Sequence, residues 1–385
     1  MRVRGPLTWP SNAVPGGLLL ATFAVYAWLA RGNPQVGFLA DDALYLMMAD
    51  IYSPYREATG AAYDHVRQYS HLPPIFSLLL AVAGAGVEQL SAARLVSAVC
   101  MAAAWALYLW WLHRAGVPRL TALLLAGFGA WTPATLIYTV DLWSEGLYVA
   151  LVMVCLLLMQ IVEPRVADAD RMLSMSRGPV AGSSLPVLLA LGVTLTLVVA
   201  TRSIGVALLP ALLLTLRARG LRAVAVVAVA AVATRLALSP FELGAAAPSY
   251  RGMFAQSYSA EPVAALWRQV SSVLADLPAA MVYDLFQWRE PGVWQLVALA
   301  LPGVACSLGF GRELLAVRPM ALYALGYFAI VLVWPFPGQT DRFLYPLLPC
   351  VLWFAWRGTT LIDRRGRAGL LLALLLFGLA APGIV

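Results

Sequence analysis

Charge is missing from this chain for long intervals at a time. No Asp, Glu, Lys or Arg lies between Arg4 and Arg31, Arg94 and Arg114, Arg119 and Asp141, Glu145 and Glu163, or Arg177 and Arg202. The same holds between Glu290 and Arg312, between Arg318 and Asp341, and after Arg367. A bilayer core takes about 20 apolar residues per helical crossing, and these intervals are of that order. Inside hydrocarbon every backbone N–H and C=O must be paired within the protein. Unbroken apolar runs, as opposed to strict alternation, then select helices. Composition agrees: of 385 residues, 62% are hydrophobic and 12% charged, against a usual charged share of about 25%. A soluble domain so apolar could not cover its own core. That excludes an ordinary cytosolic enzyme, a disordered chain and a secreted disulfide scaffold, and leaves an all-α polytopic membrane protein.

The cysteines, Cys100, Cys155, Cys306 and Cys350, each sit in an apolar run without C-x-x-C spacing and read as small buried hydrophobes. His65, His71 and His113 lack the spacing of a zinc site, so no dedicated metal ligands are expected. All 26 basic residues are Arg. Codon usage in a GC-rich genome accounts for this better than a need for bidentate anion binding at every position. The net charge of +7 need not mean nucleic acid, since cytoplasmic loops of multi-span proteins are basic.

The arginines orient the chain. Arg2 and Arg4 precede an apolar stretch, 14–30, that reads as an uncleaved first helix with its N-terminus in the cytoplasm. Residues 31–71 hold five carboxylates and read as external. The segment 72–89 decides the rest. It is short, begins with Pro73-Pro74 and contains Gly84 and Gly86. With 72–89 non-crossing, further spans fall at 91–112, 118–139, 143–162, 184–201, 204–216, 221–238, 293–310, 319–335, 343–356 and 368–385. The inner segments then carry 16 Arg against 5 acids and the outer ones 10 Arg against 14 acids. A crossing at 72–89 would turn the clusters at 165–177, 217–222 and 357–367 outward, against the positive-inside trend. The expectation is about eleven transmembrane helices plus one juxtamembrane, non-crossing helix. They form one domain over 1–385, with external loops at 31–90 and 239–292. The second loop carries Tyr250, Tyr258, Trp267, Tyr283 and Trp288, and Trp294 follows it. These aromatics suit either sugar stacking or an interfacial belt on amphipathic helices.

Ionisable groups at a membrane are costly, so their positions are informative. On this topology Asp41-Asp42 follows the first span, and Asp141 and Glu145 flank the start of the fourth, all at the outer interface. Two carboxylate groups at one level can supply a general base plus an anchor for a hydroxyl or a cation; the plain alternative is solvated loop charge. Arg94, Arg202, Arg235 and Arg342 also fall outside, against the basic-inside trend. Phosphate is the natural ligand for such arginines. Snorkelling or ion pairing is the alternative, with Asp341 an adjacent partner for Arg342. Neither G-x-x-x-x-G-K-[ST] nor a strand-borne G-x-G-x-x-G occurs, so an outward-facing transferase would draw on a membrane-borne donor.

Four segments, in this order, resemble the integral-membrane glycosyltransferases of the GT-C superfamily. Asp41-Asp42-Ala43-Leu44-Tyr45 resembles the acidic pair plus Tyr after the first span. His71-Leu72-Pro73-Pro74-Ile75-Phe76 resembles a K/H-P-P-L-Y box, with the basic residue one position early. Ser144-Glu145 stands near the second acidic position, and Arg342-Phe343-Leu344-Tyr345-Pro346 resembles a late R-Y-x-x-P segment. The nearest branch holds bacterial lipid A aminoarabinose transferases and protein O-mannosyltransferases.

The resemblance implies a bacterial inner-membrane enzyme with a periplasmic active site. It would move a monosaccharide, with inversion, from a polyprenyl-phosphate-linked sugar donor to a glycan, lipid or protein acceptor, among membrane lipids and without nucleic acid. Asp41 would be the general base; Asp42 and Glu145 would orient the base, the acceptor or a divalent cation (Mg or Mn). Arg342, Arg202 and Arg94 would hold the lipid phosphate. Tyr45 and His71 would line the donor cavity, and Asp141 and Tyr345 would complete the substrate contacts. The competing readings are a lipid-linked glycan flippase or transporter, an O-antigen polymerase or ligase, and a non-catalytic assembly subunit. Transporters place ionisable groups at mid-membrane between repeated halves, and neither feature is evident here.

Overall fold

A computed structural model describes residues 13–32, 41–69, 72–162, 185–217, 219–243, 250–259, 261–286, 293–334, 340–363 and 367–380. Within them all regular structure is helical. Each of the eleven segments expected to cross falls on a helix or a pair of helices. By length and apolarity, Leu90–Arg114, Glu145–Val162, Leu221–Phe241 and Val293–Leu315 can each cross a membrane; a bent pair, Arg119–Trp131 with Pro133–Val140, has the length and apolarity of either a broken span or a re-entrant loop. Other apolar helices, such as Leu185–Thr201, Pro319–Leu332 and Arg367–Ala380, are shorter. The described residues are all-helical, with several apolar helices, and are compatible with a helical membrane protein.

Three expected features take a different form. The stretch 118–139 is not one rod: it breaks at Thr132 and bends by 54°. Pro133 lacks an N–H and drives the residue before it out of the helical region, and Thr132 is accordingly extended at ψ 147°. The stretch 343–356 is also interrupted. A short helix, Thr340–Leu344, passes through a 3₁₀ turn, Tyr345–Leu347, into Leu348–Ile362, with Pro346 and Pro349 at the joins. The two long loops are largely helical as well. The first contains Asp41–Tyr52, Gly60–Tyr69 and Ile75–Val82; the second contains Tyr250–Ser257 and Pro262–Phe286.

The helix Ile75–Val82 has 8 residues, about 12 Å at 1.5 Å per residue. That cannot traverse a core of about 30 Å, in keeping with the non-crossing reading of 72–89. It packs along Asp41–Tyr52, with the Tyr45 ring edge-on to Phe76 at 5.0 Å. A clamp fixes the turn at the end of this helix. Arg56 donates to the carbonyls of Gly84 (3.1 Å) and Ala85 (2.7 Å), and Asp50 accepts the N–H of Val87 at 3.1 Å. Gly84 turns the chain at φ +72°, and a Cβ on Gly86 would lie 1.9 Å from the Asp50 carboxylate. A side chain at 86 would have to displace Asp50 and Arg56 from the clamp.

The bundle core is continuous from Tyr26 to Ala380. Its closest helix pair is Val293–Leu315 against Leu348–Ile362. A Cβ on Gly309 would stand 1.9 Å from the carbonyl of Phe354, and one on Gly358 1.8 Å from that of Ala305. Small residues allow such backbone contact, which is how helices associate where lipid removes the hydrophobic drive. At the same end, Arg357 donates to the buried Glu313 at 2.6 Å and lies over the rings of Trp353 and Trp356.

Candidate functional site

The ionisable residues singled out in the sequence sit at helix ends, and most meet at one end of the bundle. Asp41 and Asp42 form the first turn of Asp41–Tyr52, where the helix N-terminus favours negative charge. Arg94 lies one turn into Leu90–Arg114. Asp141 closes Pro133–Val140, and Glu145 opens Glu145–Val162 four residues later. Arg202 is extended, at φ −151°, in the break between Leu185–Thr201 and the 3₁₀ turn Ser203–Leu208. Arg342 sits in Thr340–Leu344. The bend at Thr132 and Pro133 turns Pro133–Val140 toward this end, and Thr135 Oγ1 lies 3.0 Å from the hydroxyl of Tyr345.

Glu145 is the hub. Its side chain is fully buried, and Oε1 accepts from Arg342 Nε at 2.7 Å and from a terminal nitrogen of Arg202. Arg342 also donates through Nη1 to Asp41 Oδ2 at 2.7 Å. These partners stand 301 and 197 positions from Arg342 in the chain. Arg342 therefore has long-range partners in Asp41 and Glu145; the side chain of its neighbour Asp341 lies outside the described residues. Aromatic rings flank both guanidiniums. Arg342 lies over Trp143 at 4.4 Å, and Arg202 lies over Phe343 at 5.3 Å and Tyr148 at 5.9 Å. Burial works against the Arg342 charge, but Glu145 and Asp41 outweigh it and hold the guanidinium protonated.

A second group of charges adjoins this triad. Asp42 is buried, and its Oδ1 accepts the N–H of Ala43 at 2.8 Å. Asp141 feels Asp42, Glu145, Arg342 and Arg94. Its carboxyl is pushed up to about 6, first by burial and then by Asp42 and Glu145, while Arg342 and Arg94 pull it down. Ser97 ties this loop to the helix of Arg94 by donating to the Asp141 carbonyl at 3.3 Å.

Of the other expected site residues, Tyr45 is buried and bonds Ser144 Oγ at 3.0 Å. It adjoins the cluster but is engaged within the protein. Tyr345 lies deeper: its ring packs on Tyr138 at 4.6 Å, and Tyr138 packs on Trp143. Its hydroxyl lies 3.0 Å from both Thr135 Oγ1 and Met101 Sδ. His71 lies outside the described residues. Arg235 is elsewhere, bonded to Glu242 on an exposed surface. Sequence reasoning gave no role to Trp143 and Tyr148, and Ser144 and Phe343 stood in the quoted segments without one. Each lies within three residues of a charge already singled out, and that adjacency was the available signal.

The charges could hold an anion or take a proton. A cation is less well served. Among the described residues no three His, Cys, Asp or Glu side chains converge, and Asp41 and Glu145 are occupied by arginines. A cavity of about 730 Å³, lined by Asp50, Arg56, Glu57, Thr59, His65 and Glu88, lies along the same first-loop helices. Comparison with protein-family models, with curated proteins and with solved structures finds no match to this chain.

Proposed function

We propose that the chain is a GT-C-like glycosyltransferase of the bacterial inner membrane. It has eleven spans, a cytoplasmic N-terminus and its charge cluster on the periplasmic side. It transfers a monosaccharide from a polyprenyl-phosphate donor to a hydroxyl on a glycan, lipid or protein. One observation carries the reading: an acidic side chain at the cluster's edge, Asp41, shares Arg342 with the buried Glu145. A base and a phosphate-binding cation are what transfer from a lipid phosphate needs.

Asp41 takes the proton of the acceptor hydroxyl as its oxygen attacks the anomeric carbon. The new C–O bond forms on the face opposite the phosphate, so the configuration inverts. The bond from that carbon to the phosphate oxygen breaks, and the prenyl phosphate leaves with the electron pair. Arg342 and Arg202 stabilise the charge gathering on the leaving group, from positions fixed beforehand. Glu145 is a positioning residue that aims both guanidiniums, a narrower role than contact with the base or acceptor. Asp42, Asp141 and Arg94 shape the field around the base. Among the described residues the carboxylates do not converge as a cation site, and no step is derived through Mg or Mn.

The test is transfer in proteoliposomes from a panel of radiolabelled polyprenyl-phosphate hexoses to co-reconstituted glycolipid. Asp41→Asn should lower the rate by about 10²–10⁴-fold, the worth of a positioned base, without loss of membrane insertion. Movement of intact lipid-linked sugar across the bilayer, with no bond cleaved, would identify a transporter instead.

A further inference from the structure

We infer that Asp41 and the donor phosphate compete for the same edge of Arg342, so that phosphate binding and release of the base are one event. The inference rests on the transferase reading and concerns how its site is loaded. Arg342 has little freedom. Its flat face rests on Trp143 at 4.4 Å, and its Nε is held by a carboxylate with no exposure at all. The Nη1 edge is held by Asp41, the most exposed of the three side chains. The Asp41 side chain is 23% exposed, against 7% for Arg342 and 0% for Glu145.

Charge balance leads to the same place. Glu145 offsets one of the two guanidiniums it touches, and Asp41 offsets the other. A phosphate oxygen arriving at Nη1 brings the negative charge that Asp41 supplied, so the exchange leaves the buried arginines neutralised throughout. The consequence for Asp41 is one of access. While Oδ2 accepts from Arg342 Nη1 at 2.7 Å it is taken up by the guanidinium; released, it is open to the proton of the acceptor hydroxyl. The base is therefore fully active only when the donor is seated. Donor binding comes first, and the acceptor is deprotonated afterwards. When the prenyl phosphate product departs, Asp41 returns to Arg342.

The test measures binding of farnesyl phosphate and of inorganic phosphate to the detergent-solubilised full chain, by calorimetry. Asp41→Asn, or Asp41→Ala should the amide itself pair with Arg342, should bind farnesyl phosphate about tenfold more tightly than wild type. That is roughly the gap between a charge-assisted and a neutral hydrogen bond. The variant thus gains ligand while losing transfer. In an Arg342→Lys background, which keeps the charge but loses the fork, the gain should shrink markedly. Unchanged or weaker binding by both Asp41 variants overturns the exchange. So does an equal gain in both backgrounds, since that is the general effect of removing a negative charge. The transferase reading itself fails in a different way: wild type and variants alike bind no farnesyl phosphate, or bind inorganic phosphate equally well.

Discussion

Replacing Glu145 by Gln probes the hub of the cluster with almost no change of shape. Oε1 of Glu145 accepts two charge-assisted hydrogen bonds, one of them 2.7 Å long, inside a fully buried environment. Such bonds contribute about 1.5–3 kcal/mol each, against about 0.5–1.5 for neutral ones, so the amide forfeits about 2–3 kcal/mol directly. It also leaves Arg202 without its bonded carboxylate and Arg342 with Asp41 as its one bonded carboxylate, and breaking a buried pair costs about 3–5 kcal/mol in total. For a chain of 385 residues, an unfolding entropy near 2.1 cal/mol/K per residue turns about 4 kcal/mol into a fall of about 5 °C in Tm. The assay is thermal unfolding in detergent, followed by fluorescence-detected size exclusion. Adding Arg202→Gln removes the surplus cation. The double variant should recover part of the loss, with a coupling of about 2 kcal/mol, within the range for residues in contact. A Glu145→Gln protein melting within 1 °C of wild type, at the roughly 1 kcal/mol resolution of such shifts, would refute the reasoning. Simply additive shifts for the two substitutions would do the same.

Two further outcomes are expected beside the Asp41 experiments. Gly358→Ala should destabilise by about 1–3 kcal/mol, as overpacking does, because its Cβ would meet the Ala305 carbonyl at 1.8 Å. Gly311→Ala, with open space around it, should be neutral or slightly stabilising; equal Tm values for the two would dismiss the close contact. For Asp141, a carboxyl raised to about 6 in the fold favours the folded state when protonated. That contribution is complete below about pH 4 and is lost as pH rises through about 6. Asp141→Asn should therefore gain Tm relative to wild type between pH 4.5 and 7.5, and a difference independent of pH would count against the burial and the Asp42 neighbour.

The helices were legible because charge is absent over stretches of the right length: each expected span has a helix beneath it. Where the reading went astray, proline was the reason. Pro133 and Pro346 stood in plain view within stretches read as continuous spans, and hydropathy averaging passes over a missing N–H. The long loops were bounded by polarity; for the second, amphipathic helices were one of two open readings, and Pro262–Phe286 is a helix packed against the bundle. For the site, the sequence located the charges at one level but could not pair them. Arg342 was offered its neighbour Asp341, and nothing in the sequence pointed to its bonds with Asp41 and Glu145, 301 and 197 positions away. Burial was equally invisible: nothing local distinguishes Glu145, without solvent contact, from the partly exposed Asp41.

The glycine contact between Val293–Leu315 and Leu348–Ile362 restricts how the molecule can deform. Sliding or rolling at Gly309 and Gly358 would press backbone on backbone, so swinging about that point, like the legs of a pair of dividers, is the movement this contact opposes least. The pivot lies at the end away from Arg342, next to the Glu313–Arg357 bond that braces it. A small angular change there is multiplied by the length of the leg. The widest excursion of the pair falls at the opposite tips, nearest the short segment that carries Arg342.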